Sequence, residues 1–286
     1  MRVLLVSKGD ARLRRTWSGV PRQVLDSLVS DGIEVKLLNL FDDFLFHWVG
    51  AVWNRTHDFR KREFESTWFG GVLMARAVRR AARGCDKVVA LTFALDAAKI
   101  PVPVELVHDW TLGYFWNRQD SAEARQIEQM RHAAKIKCLY PASTEYLRSK
   151  GLDVEYIGVP VDVPDCVRDR VKGKIGRVGP RFVVFASPWH RDNLYEALKY
   201  LEGHDDYRLD VIGAKGEDTE RIFYHGYLDK DNPSEAREYW DIMALADCLL
   251  ALGRSWPGGS SIAEAKVCGC KVVTRNWPDL QIGVGR

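Results

Sequence analysis

Missing from this sequence is any apolar run near the roughly 20 residues that a membrane-spanning helix needs. The uninterrupted apolar stretches, such as Val88 to Leu91 and Phe182 to Ala186, are strand-sized. A strong charge of either sign is missing too. Forty-two basic against 39 acidic side chains leave a formal +3, too little to bind nucleic acid or membrane through bulk charge, so any basic site must be local. Cysteine is sparse and unpatterned: Cys85, Cys138, Cys166, Cys248, Cys268 and Cys270 are scattered. Their spacing gives no C-x-x-C redox pair and no evident zinc site, which predicts reduced, mostly buried thiols in a cytosolic protein. The opening run Val3 to Val6 is shorter than the apolar region of a secretory signal and reads as a first buried strand. Neither a G-x-G-x-x-G dinucleotide loop nor a Walker loop occurs.

What is present is an ordinary globular composition, 46% hydrophobic, 28% charged and 11% aromatic over 286 residues. Disorder and collagen-like repeats are excluded, and the length suits two domains of about 150 residues. An apolar run Val3–Val6, an amphipathic stretch Val20–Val29, then Gly32 and a second apolar run Ile33–Leu40 predict a strand, helix and strand. Strands joined by helical crossovers build a parallel sheet. Further strand-like runs follow at 87–92, 103–107, 136–139 and 154–157. Residues 161–180, rich in Gly and Pro, read as a linker between a first domain over 1–160 and a second over 181–286. In the second domain, strands are expected at 182–186, 208–212, 222–224, 248–252 and 271–274, with helices at 193–201, 234–245 and 260–268.

Phe41 to Gly71 breaks this order. Trp48, Trp53, Phe59, Phe64, Trp68 and Phe69 interleave with Arg55, Arg60, Lys61 and Arg62. One reading is a helical insertion whose aromatics pack inward while its cations face water. The other is a surface for nucleic acid or anionic lipid, compatible with a peripheral membrane location.

Open parallel sheets bind ligands at the carboxyl ends of their strands, and three such loops carry candidate chemistry. Ser18-Gly19 precedes a helix whose N-terminal amides suit an anion, although a plain helix start explains it equally. His108, at the tip of a strand, can donate to a substrate hydroxyl or serve structurally. The third loop, Ser255-Trp256-Pro257-Gly258-Gly259-Ser260-Ser261, leads into a helix carrying Glu264. Its amides suit a phosphate or sugar oxygen, and the Glu264 carboxylate suits ribose hydroxyls.

In order and spacing, several segments resemble the retaining glycosyltransferases of family 4. They include Ser18-Gly19, Val107-His108-Asp109, Ser143-Thr144-Glu145-Tyr146-Leu147 with Gly151, and Ile157-Gly158-Val159-Pro160. Phe223-Tyr224-His225-Gly226, Ala246-Asp247 and Ile262-Ala263-Glu264-Ala265 with Gly269 continue the series. The resemblance implies an α/β protein of GT-B fold, with two Rossmann-like domains facing across a cleft. It implies transfer of a hexose from a nucleoside diphosphate sugar with retention, without a metal or other cofactor.

By position, Glu264 would hold the ribose, and Gly258, Gly259, Ser260 and Ser261 the sugar or distal phosphate. Ser18 and Gly19 would approach the phosphate, and His108 a sugar hydroxyl near the reacting carbon. His108 and Glu264 are the implied catalytic pair, and the acceptor, whether glycan, lipid or modified nucleic acid, is left open.

Three departures stand out. Trp256 occupies the family's second Glu position, and Ser187 and Asp192 fall where its Arg and Lys grip the diphosphate, leaving His190 and Arg191 as shifted substitutes. The family's final crossover helices are also missing from the pattern. A GT-B binding or partner protein without turnover is the alternative these departures raise.

Overall fold

The computed structural model describes the chain except residues 58–63, 93–94, 110, 112, 114–119, 165–166, 168–178, 188–190, 254–258, 275–283 and 286. It divides into two compact units, Met1–Gly158 and Val159–Arg286. Most of the sequence-predicted linker lies outside the described residues.

The first unit is built on β1 (Arg2–Ser7), β2 (Glu34–Asn39), β3 (Lys87–Ala90), β4 (Val104–His108), β5 (Lys135–Cys138) and β6 (Glu155–Tyr156). They form one six-stranded sheet in the order β2-β1-β3-β4-β5-β6, every pair parallel. Parallel strands covered on both faces carry continuous rather than alternating apolar residues. Val3, Leu4, Leu5 and Val6 are accordingly all fully buried. Leu4, Val6, Val88 and Leu106 share a core with Met74 and Val78 of the Trp68–Ala81 helix.

In the second unit β8 (Arg181–Phe185), β9 (Arg208–Ile212), β10 (Ile222–Gly226), β11 (Cys248–Ala251) and β12 (Lys271–Thr274) form a second parallel sheet. Its order is β10-β9-β8-β11-β12. Val184, Leu209, Val211 and Leu250 pack there with Ala197 and Leu201 of the Arg191–Leu201 helix. A short β7 (Val159–Pro160) pairs with β13 (Val284–Gly285) in the same unit.

Helix starts follow local side-chain chemistry. Thr67 accepts from the Gly70 amide at 3.0 Å, Asp120 from Ala122 at 2.9 Å, and Asn232, ahead of Pro233, from Ser234 at 3.1 Å. Each satisfies an amide that the first helical turn leaves without an intrahelical partner. The expected helical insertion is present as the Phe44–Thr56 helix, a short 3-10 turn at Phe64–Ser66 and the start of Trp68–Ala81. Its aromatics divide: Phe46 and Phe64 are buried, whereas Phe44, Trp48, Trp68 and Phe69 are exposed. Packing therefore accounts for only part of that aromatic content. Cys85, Cys138, Cys248, Cys268 and Cys270 are buried thiols, and Cys166 lies outside the described residues.

Candidate functional site

In a parallel sheet whose strand order reverses, the loops at the reversal splay apart and leave a crevice at the carboxyl edge. The second sheet reverses between β8 and β11: β9 and β10 extend to one side, β11 and β12 to the other. Asn193 stands at this point. Its amide group donates to Phe185 O at 2.8 Å, and its carbonyl oxygen accepts from the Leu252 and Gly253 amides at 2.7 and 3.0 Å. One buried side chain thus ties the ends of β8 and β11 together at the base of both loops. Nothing in the sequence reading singled it out; the available signal was a polar residue at the start of an apolar-faced helix. Gly213, just past β9, has a φ of +97°, and a Cβ there would lie 3.2 Å from the Ala186 and Ser187 backbone. The loop after β9 therefore closes on the loop after β8.

Past the second of those loops, the helix Gly259–Val267 begins with Gly259 buried and Ser260 and Ser261 half-buried. Glu264, within it, is 6% exposed. Its carboxylate accepts from Lys230 Nζ through Oε1 and from the Tyr239 hydroxyl through Oε2. A buried carboxylate needs such compensation. Burial, and then the neighbouring Glu264 charge, push the Tyr239 phenol well above its ordinary pKa, so it stays a hydrogen-bond donor. Lys230 also lies over the Tyr239 ring, 4.2 Å from its centroid, and 5.6 Å from that of Trp240. Each carboxylate oxygen retains acceptor capacity for a ligand hydroxyl. Lys230 and Tyr239 were missed by sequence reasoning because they come from the β10 loop and the Pro233–Leu245 helix, distant in sequence from Glu264. Of the other donor-side candidates, His190, Trp256 and Gly258 lie outside the described residues, as does the side chain of Arg191. Ser187 and Asp192 are half-buried.

The first sheet reverses between β1 and β3. After β1, Trp17 and Ser18 adopt left-handed backbone angles, φ 42° and 53°, followed by Gly19 at 86°. For the two non-glycine residues this costs roughly 1–2 kcal/mol each. The turn presents Trp17, whose indole Nε1 donates to Asp109 Oδ2 at 3.1 Å, linking the loop after β1 to the loop after β4. Ser18 is exposed, and Gly19 starts the Val20–Ser30 helix with no side-chain cap. His108, the last residue of β4, is fully buried. Ser18, Gly19 and His108 thus belong to the first unit, Gly259 to Glu264 to the second.

A cavity of about 330 Å³ also opens in the first unit, lined by Lys8, Phe41, Phe46, His47, Gly50, Phe64 and Glu65 among others. Lys8, directly after β1, pairs with Glu65 Oε1, while Glu65 Oε2 is buried with no hydrogen-bond partner among the described residues. Among the described residues, no group of three His, Cys, Asp or Glu is placed to hold a metal ion.

The chain matches no protein-family profile, and no curated protein matches it in sequence. Solved structures do match. A sucrose-phosphate synthase from Thermosynechococcus elongatus superposes with a TM-score of 0.62 at 14% identity, over 96% of this chain and 81% of that one. HepE from Anabaena, in complex with UDP and glucose, gives 0.53 at 15% identity, over 96% and 80%. The UDP-GlcNAc 2-epimerase from Neisseria meningitidis, bound to UDP-GlcNAc, gives 0.56 at 11% identity, over 96% and 82%. At these identities the likeness is one of fold, and the fold is GT-B, built from two Rossmann-like parallel-sheet domains.

Proposed function

We propose that this chain is a retaining glycosyltransferase that moves a hexose from a nucleoside diphosphate sugar, with the donor on the second unit and the acceptor on the first. The observation that carries the reading is Glu264: a compensated, buried carboxylate on the helix that follows the loop at the second sheet's strand reversal. There it would accept the ribose hydroxyls. Amides from Gly259 to Ser261 at the helix start would face the diphosphate, whose charge the helix dipole favours. UDP is the nucleotide of choice to test, because HepE was solved with UDP and glucose and the Neisseria epimerase with UDP-GlcNAc.

In the reaction proposed, an acceptor hydroxyl attacks the anomeric carbon on the face from which the diphosphate departs. The bond from that carbon to the phosphate oxygen breaks, the bond to the acceptor oxygen forms, and the acceptor proton passes to the departing phosphate. No metal is required in this scheme, since helix amides and cationic side chains offset the leaving charge. In this scheme the end of the first unit's cavity lined by Lys8 and Glu65 would face the acceptor.

A second reading rests on the same carboxylate. Because Glu264 would hold a nucleotide whether or not a sugar is transferred, the group is also consistent with a GT-B protein that binds without turnover. Incubating the purified chain with UDP-glucose or UDP-GlcNAc and candidate acceptors, followed by NMR of the sugar, separates these. Transfer or donor hydrolysis with the anomeric configuration kept supports the transferase; inversion at C2 of the sugar marks an epimerase. Nucleotide binding with none of these supports the binding protein. Glu264→Ala is expected to weaken donor binding by about 1.5–3 kcal/mol, the value of a charged hydrogen bond, and unchanged affinity by calorimetry would remove the assignment. His108→Ala is expected to lower kcat more than it weakens binding, and equal turnover would return His108 to a structural role.

A further inference from the structure

Both partners of Glu264 belong to one piece of the second unit. Lys230 stands in the loop after β10, and Tyr239 on the Pro233–Leu245 helix that follows that loop. Glu235, in the first turn of the helix, fastens the two: its carboxylate accepts from the Asp229 amide at 2.7 Å and from the Asn232 side chain at 2.8 Å. Loop and helix therefore move together, and whatever holds the helix to the sheet also sets where Lys230 and Tyr239 sit.

His225 is one such hold. The register of β10 on β9 shifts between Tyr224 and Gly226, leaving His225 as the extra residue of a bulge, a feature that re-aims a side chain. Its ring stands between two elements: Nε2 lies 2.9 Å from Asp210 Oδ1 on β9, and Nδ1 lies 2.8 Å from Glu238 Oε1 on the helix, one residue before Tyr239. The charged groups around this pair are Arg208 on β9 and Arg181 on β8, both paired with Asp210, and on the helix Asp241, which lies 4.0 Å from Arg237. A ring flanked by two carboxylates bonds both only while each nitrogen carries a proton. The neutral ring has one N–H. Asp210 is fully buried, whereas about half of the Glu238 side chain is exposed, so the remaining N–H stays with Asp210 and Glu238 turns to water. The Asp210 bond, and to a lesser degree the Glu238 bond, raise the His225 pKa against the effect of burial. The tie is therefore complete at lower pH and is lost as pH rises through that raised value.

We infer that His225 is a positioning residue for the proposed nucleotide site: as the imidazolium it ties the Pro233–Leu245 helix to β9 and holds Lys230 and Tyr239 against Glu264, and once neutral it releases the helix and weakens binding of a nucleoside diphosphate sugar. His225 has this role only if Glu264 holds the ribose, as proposed above. The test is calorimetry of the full chain with UDP-glucose, whose diphosphate stays ionised throughout, from about pH 6 to 8.5. The native chain is expected to lose affinity about two- to fivefold as pH rises, the value of one partly exposed ion pair, with the same midpoint as the titration of the His225 ring followed by NMR. In His225→Gln the profile should be flat and close to the high-pH level. Glu238→Ala should be flat and weak as well. Glu238→Gln should instead hold the low-pH affinity throughout, because an amide can accept from the charged ring or donate to the neutral one. A side chain that only stabilised the fold would give no such rescue, and the exposure of Glu238 lets both of its variants keep the native core. An equal fall in the native chain and His225→Gln, a Glu238→Gln profile that follows the native one, or native binding that is flat in pH overturns the inference and leaves the nucleotide site in place. No binding at any pH overturns the nucleotide site, and the role of His225 with it.

Discussion

Asp210 sits fully buried within β9, where an unpaired carboxylate would cost several kcal/mol. It is surrounded by cations: Arg181 Nε at 2.6 Å, Arg208 at 3.0 Å and His225 Nε2 at 2.9 Å. The other His225 nitrogen faces Glu238 at 2.8 Å. With carboxylates against both nitrogens, the imidazole can satisfy both only as the imidazolium. Burial raises the Asp210 pKa, but the bonds from His225, Arg181 and Arg208 outweigh it and hold the carboxyl below its ordinary range. The Asp210 bond, against a smaller effect of burial, raises His225 above its ordinary value. The two groups act in opposite pH windows. Stability from Asp210 is present above its unfolded pKa of about 3.9 and is lost as pH falls through the lower folded value. Stability from His225 is present below about 6.5 and is lost as pH rises through its raised folded value. Urea unfolding at pH 5.5 and 8.5 should therefore show a drop for the native chain that is smaller in His225→Gln. Asp210→Asn, which leaves the half-buried Arg181 without its acid, is expected to cost about 3 kcal/mol. An equal pH response in native chain and His225→Gln would count against the imidazolium. The sequence did carry a sign of this cluster: an acid inside an apolar strand, with Arg208 two residues before it on the same face. Glu105, held between Lys87 and Lys137 in the first sheet, follows the same logic.

At the scale of elements, continuous apolar strands separated by amphipathic stretches were legible because that pattern is what a doubly covered parallel sheet demands. β9 and β12 begin and end at the expected residues, the other expected strands shift by a residue or two, and the short β7 and β13 were not expected. The Phe44–Thr56 segment was harder to read, since aromatics on both faces blur the helical period and leave inward and outward packing indistinguishable in sequence. Asn193 was invisible for a different reason: its partners, Phe185, Leu252 and Gly253, lie at the ends of two strands that only the fold makes neighbours. Asn193→Ala would strand two buried amides and one carbonyl, and is expected to cost about 1–3 kcal/mol in chemical denaturation. It should also loosen the loops ahead of Gly259 and weaken nucleotide binding by calorimetry. A loss of stability with intact nucleotide affinity would confine Asn193 to holding the sheet.

For the whole molecule, the fold could be read because the order of strands, helices and glycine turns extends along most of the chain, whereas the site depends on pairings across it. Glu264 was found from its helix, but Lys230 and Tyr239, which set its chemistry, reach it from other elements. That distinction bears on how a ligand acts. A nucleotide that binds only the folded chain stabilises it by mass action, about 2.7 kcal/mol at a concentration 100 times its Kd. For a protein of this size each kcal/mol shifts Tm by about 2–4 °C, so UDP or its sugar should raise the melting temperature by about 5 °C or more. The size of that shift depends on affinity and not on turnover, and it is expected whether the chain transfers sugar or only binds it. Glu264→Ala should lower the shift at fixed ligand concentration, while Phe44→Ser/Trp48→Ser, on the exposed face of the Phe44–Thr56 helix, should leave it unchanged. No shift with any nucleoside diphosphate sugar at millimolar concentration would contradict donor binding itself.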